Sequence, residues 1–451
     1  MNTKNESKIK LFQYTMIVIS LVIGMGIFRT ATDSAKASLN PTIYFAAWIV
    51  GGLIAICGAL TYAEIGSRIP VTGAYYKIFT YAYHPSIAFG INCIILVSNA
   101  ASLSIVALIG AEYVQDVLFP LSGEAVKLSI ALAAIMLFYI VNLLGIRLSA
   151  TLQAVLMLFK IAMILVLISG LLHTQAYAHD AVTLVSSAEP TWSKIALSFG
   201  AAMVAVSFTY GGYQQTINFG SEVHNPKTNV PKGIIIGIIV IIALYLLVNL
   251  SYYKVVGFDW LQHRQANEQV GKQLITKIMG STAANVFSCL LFICVLGYVN
   301  ALMLSNPRVM YAMSQDGVLP KSFAKESAKR KVLVTALSTF TAMCIIIIFY
   351  SNAVNELLKF SIFLDCFGMV LSAATIFKLR KTQLSNAVKD IYTIRWYPLL
   401  PILFILAYTL VGISIIITDT KLAIIGTCVL VAFIGIYFIF DYIRKNNIQG
   451  A

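Results

Sequence analysis

The chain has 451 residues, of which 59% are hydrophobic and only 11% are charged. A soluble domain carries about 25% charged residues, so this composition excludes a soluble globular protein and indicates an integral membrane protein. The net charge of +14 does not indicate nucleic-acid binding, because no basic patch interleaved with aromatic residues lies in a polar domain.

Twelve apolar segments follow one another along the chain, and they approach or exceed the roughly 20 residues that a helix needs to cross a bilayer core of about 30 Å. They cover residues 11–35, 41–67, 86–113, 125–146, 149–172, 194–221, 232–255, 278–313, 332–350, 355–377, 398–418 and 421–442. The sequence therefore predicts an all-α integral membrane protein of about twelve transmembrane helices. Polar tails at residues 1–10 and 443–451 flank them, and we expect the first helix to be retained rather than cleaved as a signal peptide.

The basic residues are distributed unequally between the two sides of the predicted bundle. Most Lys and Arg residues lie in the loops on the side of the N-terminus and in the C-terminal tail. Because loops rich in Lys and Arg stay in the cytoplasm, we expect both termini there, in a multi-pass protein of the cytoplasmic membrane.

Two of the predicted helices contain glycines where a helix would break. The first contains Gly24-Met25-Gly26, and the sixth contains Gly211-Gly212. Glycine weakens a helix by about 1 kcal/mol relative to alanine, and broken backbone inside a membrane is tolerated only beside protein or a water-filled site. Close packing of helices through small residues is the alternative, but the spacing of these glycines does not fit the small-xxx-small pattern.

Breaks in the first and the sixth helix are five helices apart, which is typical of an inverted repeat with a substrate site between the broken helices. Such a site suits a zwitterion. Free N–H groups at the start of a half-helix attract a carboxylate, and free carbonyls at the end of a half-helix attract an ammonium group.

Five stretches, in order along residues 10–320, resemble the amino acid–polyamine–organocation superfamily, and the L-type and serine/threonine exchanger-like permeases in particular. IGMGIF (Ile23–Phe28) is similar to the GSGIF motif of the first helix. The other four are TYAEIGSRIPVTGAYY (Thr61–Tyr76), FTYGGYQQTINFGSEVHNPKTNVP (Phe208–Pro231), YLLVNLSY (Tyr245–Tyr252) and GYVNALMLSNPRVMYAMSQDGVLP (Gly297–Pro320).

The resemblance implies the LeuT-type fold, a 5+5 inverted repeat with broken helices 1 and 6. Residues 11–172 and 194–377 would form the two repeats, and residues 398–442 two extra helices outside the core. It also implies a substrate site in which Phe208 acts as an aromatic gate. The remaining implied substrate-binding residues, which present backbone or shape, are Ile23, Gly24, Met25, Gly26, Ile27, Thr209, Tyr210 and Gly211.

Three residues depart from the family pattern. Met25 stands where a small residue is usual, which we expect to narrow the site near the substrate carboxylate, and Tyr213 replaces a tryptophan. Arg29 follows the first motif. Its charge would attract substrate carboxylates from outside, or its side chain would extend to the membrane interface.

Lys160 lies in the middle of the fifth predicted helix, where a lysine is costly and usually functional. It matches a lysine of the family whose ammonium resembles a fixed substitute for a sodium ion between helices 1, 5 and 8. This match argues against sodium dependence and leaves proton coupling open.

Asp365 lies about ten residues into the tenth apolar segment, where L-type relatives place an asparagine near the side-chain pocket. A carboxylate there would pair with Lys160, take up a proton, or bind a polar or cationic side chain of the substrate. A carboxyl group hydrogen-bonded between helices without a direct role is the alternative.

Together these features predict a sodium-independent secondary transporter of neutral L-amino acids, driven by exchange or by protons. A cationic amino acid or polyamine carrier that uses Asp365 is the alternative, and a non-transporting sensor on a transporter fold is an alternative of another class. No catalytic constellation, cofactor motif or metal-ligand pattern is visible, so an enzyme is not expected. The expected partners are an amino acid, the lipid bilayer and, if transport is driven by protons, a proton, and no obligatory protein partner is evident.

Overall fold

The computed structural model describes residues 8–24, 26–173, 191–263, 269–327, 330, 332–350, 354–381 and 391–449. These residues form sixteen α-helices joined by short turns and four 3₁₀ helices. In chain order the helices are α1 (Leu11–Val22), α2 (Gly26–Ala37), α3 (Pro41–Arg68), α4 (Ala74–Ala82), α5 (Pro85–Leu118), α6 (Glu124–Leu144), α7 (Ile146–Ile168), α8 (Trp192–Tyr210), α9 (Pro226–Val255), α10 (Phe258–His263), α11 (Val270–Met279), α12 (Ser281–Gln315), α13 (Val334–Tyr350), α14 (Val354–Leu379), α15 (Leu399–Thr418) and α16 (Thr420–Gln449).

The helices confirm an all-α membrane protein. Within the described ranges, ten helical segments are long and apolar enough to cross a membrane, and α1 with α2 form a further span that is bent by 41°. The remaining predicted span, the ninth (332–350), corresponds to α13, whose apolar part is shorter than the others. The count of twelve therefore stays a prediction.

The packing of the helices has the pattern of two repeats of five. α1 contacts α9 as α8 contacts α3, and α5 contacts α14 as α12 contacts α7. The contact of α5 with α6 likewise corresponds to that of α12 with α13. In each case, every span is replaced by the span five places along the chain. Under this replacement the pairs α3–α9 and α5–α12 are unchanged, as expected for two repeats.

One helix forms where a loop was expected. α4 begins after Gly73, whose φ of 68° lies in the left-handed region, and a Cβ there would lie 2.5 Å from the carbonyl oxygen of Arg308. Only glycine allows this approach to α12. The turn at Gly73 directs α4 back against α5, α12 and α14 instead of away from the bundle.

The side of the bundle that carries the N-terminal segment is closed by backbone pairing. Ile9 and Val223 form a parallel bridge, with Ile9 N–H donating to Glu222 O at 2.8 Å and His224 N–H donating to Ile9 O at 2.9 Å. Thr72 forms an antiparallel bridge with Phe219 in the same region. The segment before α1 is therefore part of the closure.

Ion pairs reinforce the same closure. The Arg308 guanidinium donates to both carboxylate oxygens of Glu222 at 2.7 and 2.9 Å and lies 4.4 Å from the centre of the Phe219 ring. The fully buried Glu64 accepts hydrogen bonds from Arg68 and Arg380. Both carboxylates join helix ends to loops rather than reaching the cavity between the broken helices.

Two details differ from what the sequence suggests. Arg29 forms an ion pair with Glu112 of α5, with 3.4 Å between Nη1 and Oε2. Its charge is therefore partly neutralised by a neighbouring helix, which neither of the two roles considered from the sequence included. Cys428 lies in an apolar run and is nevertheless exposed, because α16 lies at the edge of the bundle and presents much of its apolar surface outward. Hydropathy alone does not separate a core-facing from a lipid-facing side chain.

Candidate functional site

The first helical break separates α1 from α2. α1 ends at Val22, and the backbone of Ile23 leaves the helical region at φ −72° and ψ 87°. The Gly24 N–H donates to Val22 O at 2.8 Å, a tight turn that ends the helical ladder, and α2 starts at Gly26. This confirms the predicted break and leaves the last carbonyls of α1 available to other donors. Met25, which was expected to narrow the site, lies outside the described residues.

The second break follows α8. Gly211 is extended at ψ 167°, Gly212 has a φ of 111°, and a 3₁₀ helix spans Tyr213–Asn218. A Cβ at Gly212 would lie 2.2 Å from Leu21 O, so the two broken helices touch backbone to backbone. The sequence predicted the break. The part of the sixth predicted span (194–221) that follows the break is not α-helical. The backbone tightens to 3₁₀ geometry after the glycines.

A tyrosine of α9 joins the ends of the two broken helices. The hydroxyl of Tyr245 lies 3.3 Å from Val22 O and 3.3 Å from Thr209 O, and its single hydrogen is shared between them. Tyr245 is completely buried, packed against the rings of Trp48 and Tyr210. These carbonyls are the kind of groups that would bind an ammonium ion, and the Tyr245 hydroxyl holds them in place.

We expect Tyr245→Phe to raise the KM for substrate by about 2- to 13-fold, since one hydrogen bond contributes about 0.5–1.5 kcal/mol, and to change the maximal rate much less. Tyr253→Phe is the matched control, because Tyr253 of the same helix packs against Phe45 outside the site. Concentration-dependent uptake by both variants in vesicles checks the expectation. An unchanged KM in Tyr245→Phe would contradict the role of the hydroxyl.

Lys160 of α7 is completely buried, and its ammonium group donates a hydrogen bond to Ile23 O. A Cβ at Gly297 of α12 would lie 3.7 Å from Lys160 Nζ. The ammonium therefore lies between α1, α7 and α12, at the end of the first half-helix, where the partial negative charge of the helix favours a cation. This is the position expected from the family resemblance.

A cavity opens where the two breaks meet. Of the residues expected to bind substrate, Gly24, Gly26, Phe208, Thr209 and Gly211 lie in its wall. Sequence analysis also singled out Gly212 at the second break and Asp365, and the fold brings in the remaining wall residues from α1, α5, α8, the 3₁₀ segment, α12, α14 and α15. The cavity wall also contains Leu21, Val22, Asn99, Ser102, Val106, Ser207, Gly212, Gln214, Gln215, Tyr298, Leu302, Ile362, Asp365, Met369 and Tyr408.

Three of the expected residues lie behind the wall. Ile23 presents its carbonyl to Lys160, and Ile27 is completely buried. Tyr210 donates its hydroxyl hydrogen to Trp48 O at 3.3 Å. Their direct contact with substrate stays a prediction, and their placement indicates a supporting role.

Asp365 of α14 lies in the cavity wall, and its carboxylate accepts a hydrogen bond from Ser98 of α5 at 2.7 Å. Pairing with Lys160, one of the three roles considered for this carboxylate, is not seen. The ammonium of Lys160 is bound instead to the Ile23 carbonyl. In the part of the chain that the structure describes, Asp365 forms no ion pair.

Amide side chains close the cavity toward the N-terminal side. Gln215 donates to Asn99 at 2.6 Å, and Asn99 donates to Asn306 at 2.7 Å. Ser305 and Asn218 continue the network toward the backbone of Tyr75. The network links α5, α12 and the 3₁₀ segment, and it must open if the cavity is to reach that side.

A sequence model described as amino acid permease matches residues 9–440. The chain is 26% identical to the serine/threonine exchanger SteT of Bacillus subtilis, over 94% of each chain. It is 26% identical to the b(0,+)-type amino acid transporter 1 of Mus musculus, over 98% of this chain and 89% of that one. It is 24% identical to the large neutral amino acids transporter small subunit 2 of Homo sapiens, over 96% of this chain and 81% of that one.

Proposed function

Because the chain belongs to the amino acid permease family, a family of membrane transporters, we propose that it carries neutral L-amino acids by alternating access without sodium. The observation that supports this best is the meeting of two broken helices at one cavity, with their free backbone groups around it. The substrate would be exchanged for another amino acid or accompanied by a proton. We place the protein in the cytoplasmic membrane with both termini inside.

The cavity suits the two charged groups that all amino acids share. The N-terminus of α2 begins at Gly26 in the cavity wall, where N–H groups attract the carboxylate. The carbonyls of Val22 and Thr209 lie where they attract the ammonium group, with Tyr245 as their present donor. Phe208, half-buried in the same wall, would cover the bound substrate.

Alternating access would move the two repeats, residues 11–172 and 194–377, relative to each other. A Cβ at Gly26 would lie 2.9 Å from the side chain of Thr209 and 3.1 Å from its Cα, so the first helices of the two repeats are already in close contact. Lys160 supports sodium independence, because a fixed ammonium occupies the position beside the Ile23 carbonyl.

The test is uptake of a radiolabelled amino acid panel by proteoliposomes that contain the purified chain alone. We expect uptake of neutral L-amino acids, unchanged when potassium replaces sodium. Uptake that requires sodium would refute the assignment of Lys160. One relative is named as a small subunit. Transport by this chain alone would support the proposal that it needs no protein partner.

A cationic amino acid or a polyamine is the second candidate substrate, and the carboxylate of Asp365 in the cavity wall is the observation that favours it. In that case L-lysine or putrescine would compete with the labelled substrate. Asp365→Asn would weaken this competition by at least about tenfold, or ~1.4 kcal/mol. We expect no such competition, since the proposed substrates are neutral. Strong competition by L-lysine that Asp365→Asn removes would establish the second candidate instead.

A further inference from the structure

We propose that Asp365 carries a proton during transport and exchanges it with the N-terminal side of the membrane through the hydroxyls of Tyr75, Ser372 and Tyr62. This inference rests on the proposed function, because it concerns what accompanies a neutral amino acid through the same cavity. It starts from the charge of the site.

In the described structure the carboxylate of Asp365 has a polar hydrogen-bond partner but forms no ion pair. Ser98 donates to it at 2.7 Å and also to Ser361 O at 3.1 Å. The ammonium of Lys160 is bound to the Ile23 carbonyl at the end of α1. A carboxylate within the membrane needs a neutralising cation. An amino acid with a neutral side chain does not supply one, because its ammonium group is balanced by its own carboxylate. A proton meets this need.

The groups that face Asp365 do not supply the missing charge. Tyr75 of α4, Tyr298 of α12 and Tyr408 of α15 are close enough to interact with it electrostatically, as is Cys366 beside it. Each of these side chains is a weak acid, which is neutral or negative but never positive. They do offer hydroxyl groups that can pass a proton on.

A line of hydroxyls leads away from the cavity along one face of α14. A Cβ at Gly368 would lie 3.4 Å from Tyr75 Oη, so this hydroxyl stands about one helical turn from Asp365. Tyr75 Oη lies 3.3 Å from Ser372 Oγ, which lies 2.5 Å from Tyr62 Oη. Each of these groups can accept one proton while it gives up another.

The line runs toward the closed side of the bundle. Ser372 follows Asp365 by seven residues, which is about 10 Å along a helix axis. The same direction leads to Arg380, just past the end of α14, whose guanidinium pairs with Glu64. Once the Tyr75 hydroxyl and the Asp365 carboxylate approach to hydrogen-bond distance, proton uptake forms one O–H bond on Asp365 and breaks one on Tyr75. Tyr75 regains a proton from Ser372, Ser372 from Tyr62, and release reverses each transfer.

The experiment measures substrate and proton movement in the same proteoliposomes. Radiolabelled L-serine or L-leucine, whichever enters faster, is added outside, and a trapped pH-sensitive dye reports the pH of the lumen. For the native chain we expect the lumen to acidify in step with substrate entry, at one proton for each amino acid. Asp365→Asn should lower this ratio at least about tenfold, and Tyr75→Phe should slow the proton flux. Tyr83→Phe is the control, because its hydroxyl donates to Leu371 O at 2.8 Å outside the line and its loss should leave both fluxes unchanged.

Three results would overturn the proposal. The first is substrate uptake by native vesicles with no substrate-linked change of lumen pH. The second is a native ratio of protons to substrate in Asp365→Asn. The third is uptake of labelled L-lysine without acidification, which would show that L-lysine rather than a proton neutralises the site. If Asp365→Asn does not fold, as judged by size-exclusion chromatography, Tyr75→Phe decides, and a native proton flux in that variant counts against the route. Absence of any amino acid uptake by the native chain would instead overturn the proposed function, and this inference with it.

Discussion

Replacing Lys160 with methionine is expected to lower the initial rate of amino acid uptake by roughly 10- to 100-fold, because a hydrogen bond from a charged donor contributes about 1.5–3 kcal/mol. Methionine keeps a long flexible side chain but cannot donate to Ile23 O. The carbonyl at the end of α1 is then buried without a partner, and the positive charge that balances the end of the half-helix is lost. The position of α1 relative to α7 should become less defined.

Uptake by vesicles with equal amounts of incorporated protein measures the effect. Lys194→Met is the control, since Lys194 is exposed in the first turn of α8 and its replacement should leave the rate unchanged. A Lys160→Met variant that transports at the native rate would show that the ammonium is not needed at the break. Its role as a fixed substitute for a cation would then be wrong.

Gly212→Ala is expected to abolish detectable uptake. The φ of 111° is strained for any residue with a Cβ, at about 1–3 kcal/mol, and the added carbon would lie 2.2 Å from Leu21 O and 2.9 Å from Leu21 C. Those atoms belong to the backbone of α1, which cannot move aside as a flexible side chain does. The two broken helices must separate, and the cavity between them loses its shape.

Gly200→Ala in α8, the helix before the break, is the matched control, because a Cβ there meets only Ser414 Oγ at an ordinary 3.5 Å. We expect it to transport at the native rate, and its helix to be slightly stabilised by the loss of glycine. Thermal unfolding should show a lower midpoint for Gly212→Ala alone. Native uptake by Gly212→Ala would mean that the contact of α1 with the second break is not essential to the site.

The breaks could be predicted from the sequence because glycine leaves a trace wherever the backbone departs from the helix. Gly24 and Gly212 are found without any knowledge of tertiary contacts. Lys160 was found for a similar reason, since a lysine amid apolar residues is conspicuous. The length and number of the apolar runs likewise predicted nearly every long helix to within a few residues at most ends.

Partners that are distant in the sequence could not be predicted in this way. Tyr245 bridges two carbonyls that lie 223 and 36 residues away from it. The Asp365 carboxylate receives its hydrogen bond from Ser98, 267 residues away. Tyrosine and serine are common in membrane helices, so neither residue stands out until the helices are packed. α4 was missed because its nine residues are too few to cross a membrane and its start depends on Gly73.

The pairing of Ile9 with Val223 has a practical consequence for anyone who purifies this protein. An affinity tag or fluorescent protein joined directly before Ile9 would be tethered close to a contact that closes one side of the cavity. α16, in contrast, lies at the edge of the bundle. A label attached to an exposed position of α16 should leave the transport cycle unchanged, and kinetic data from the two arrangements should not be pooled.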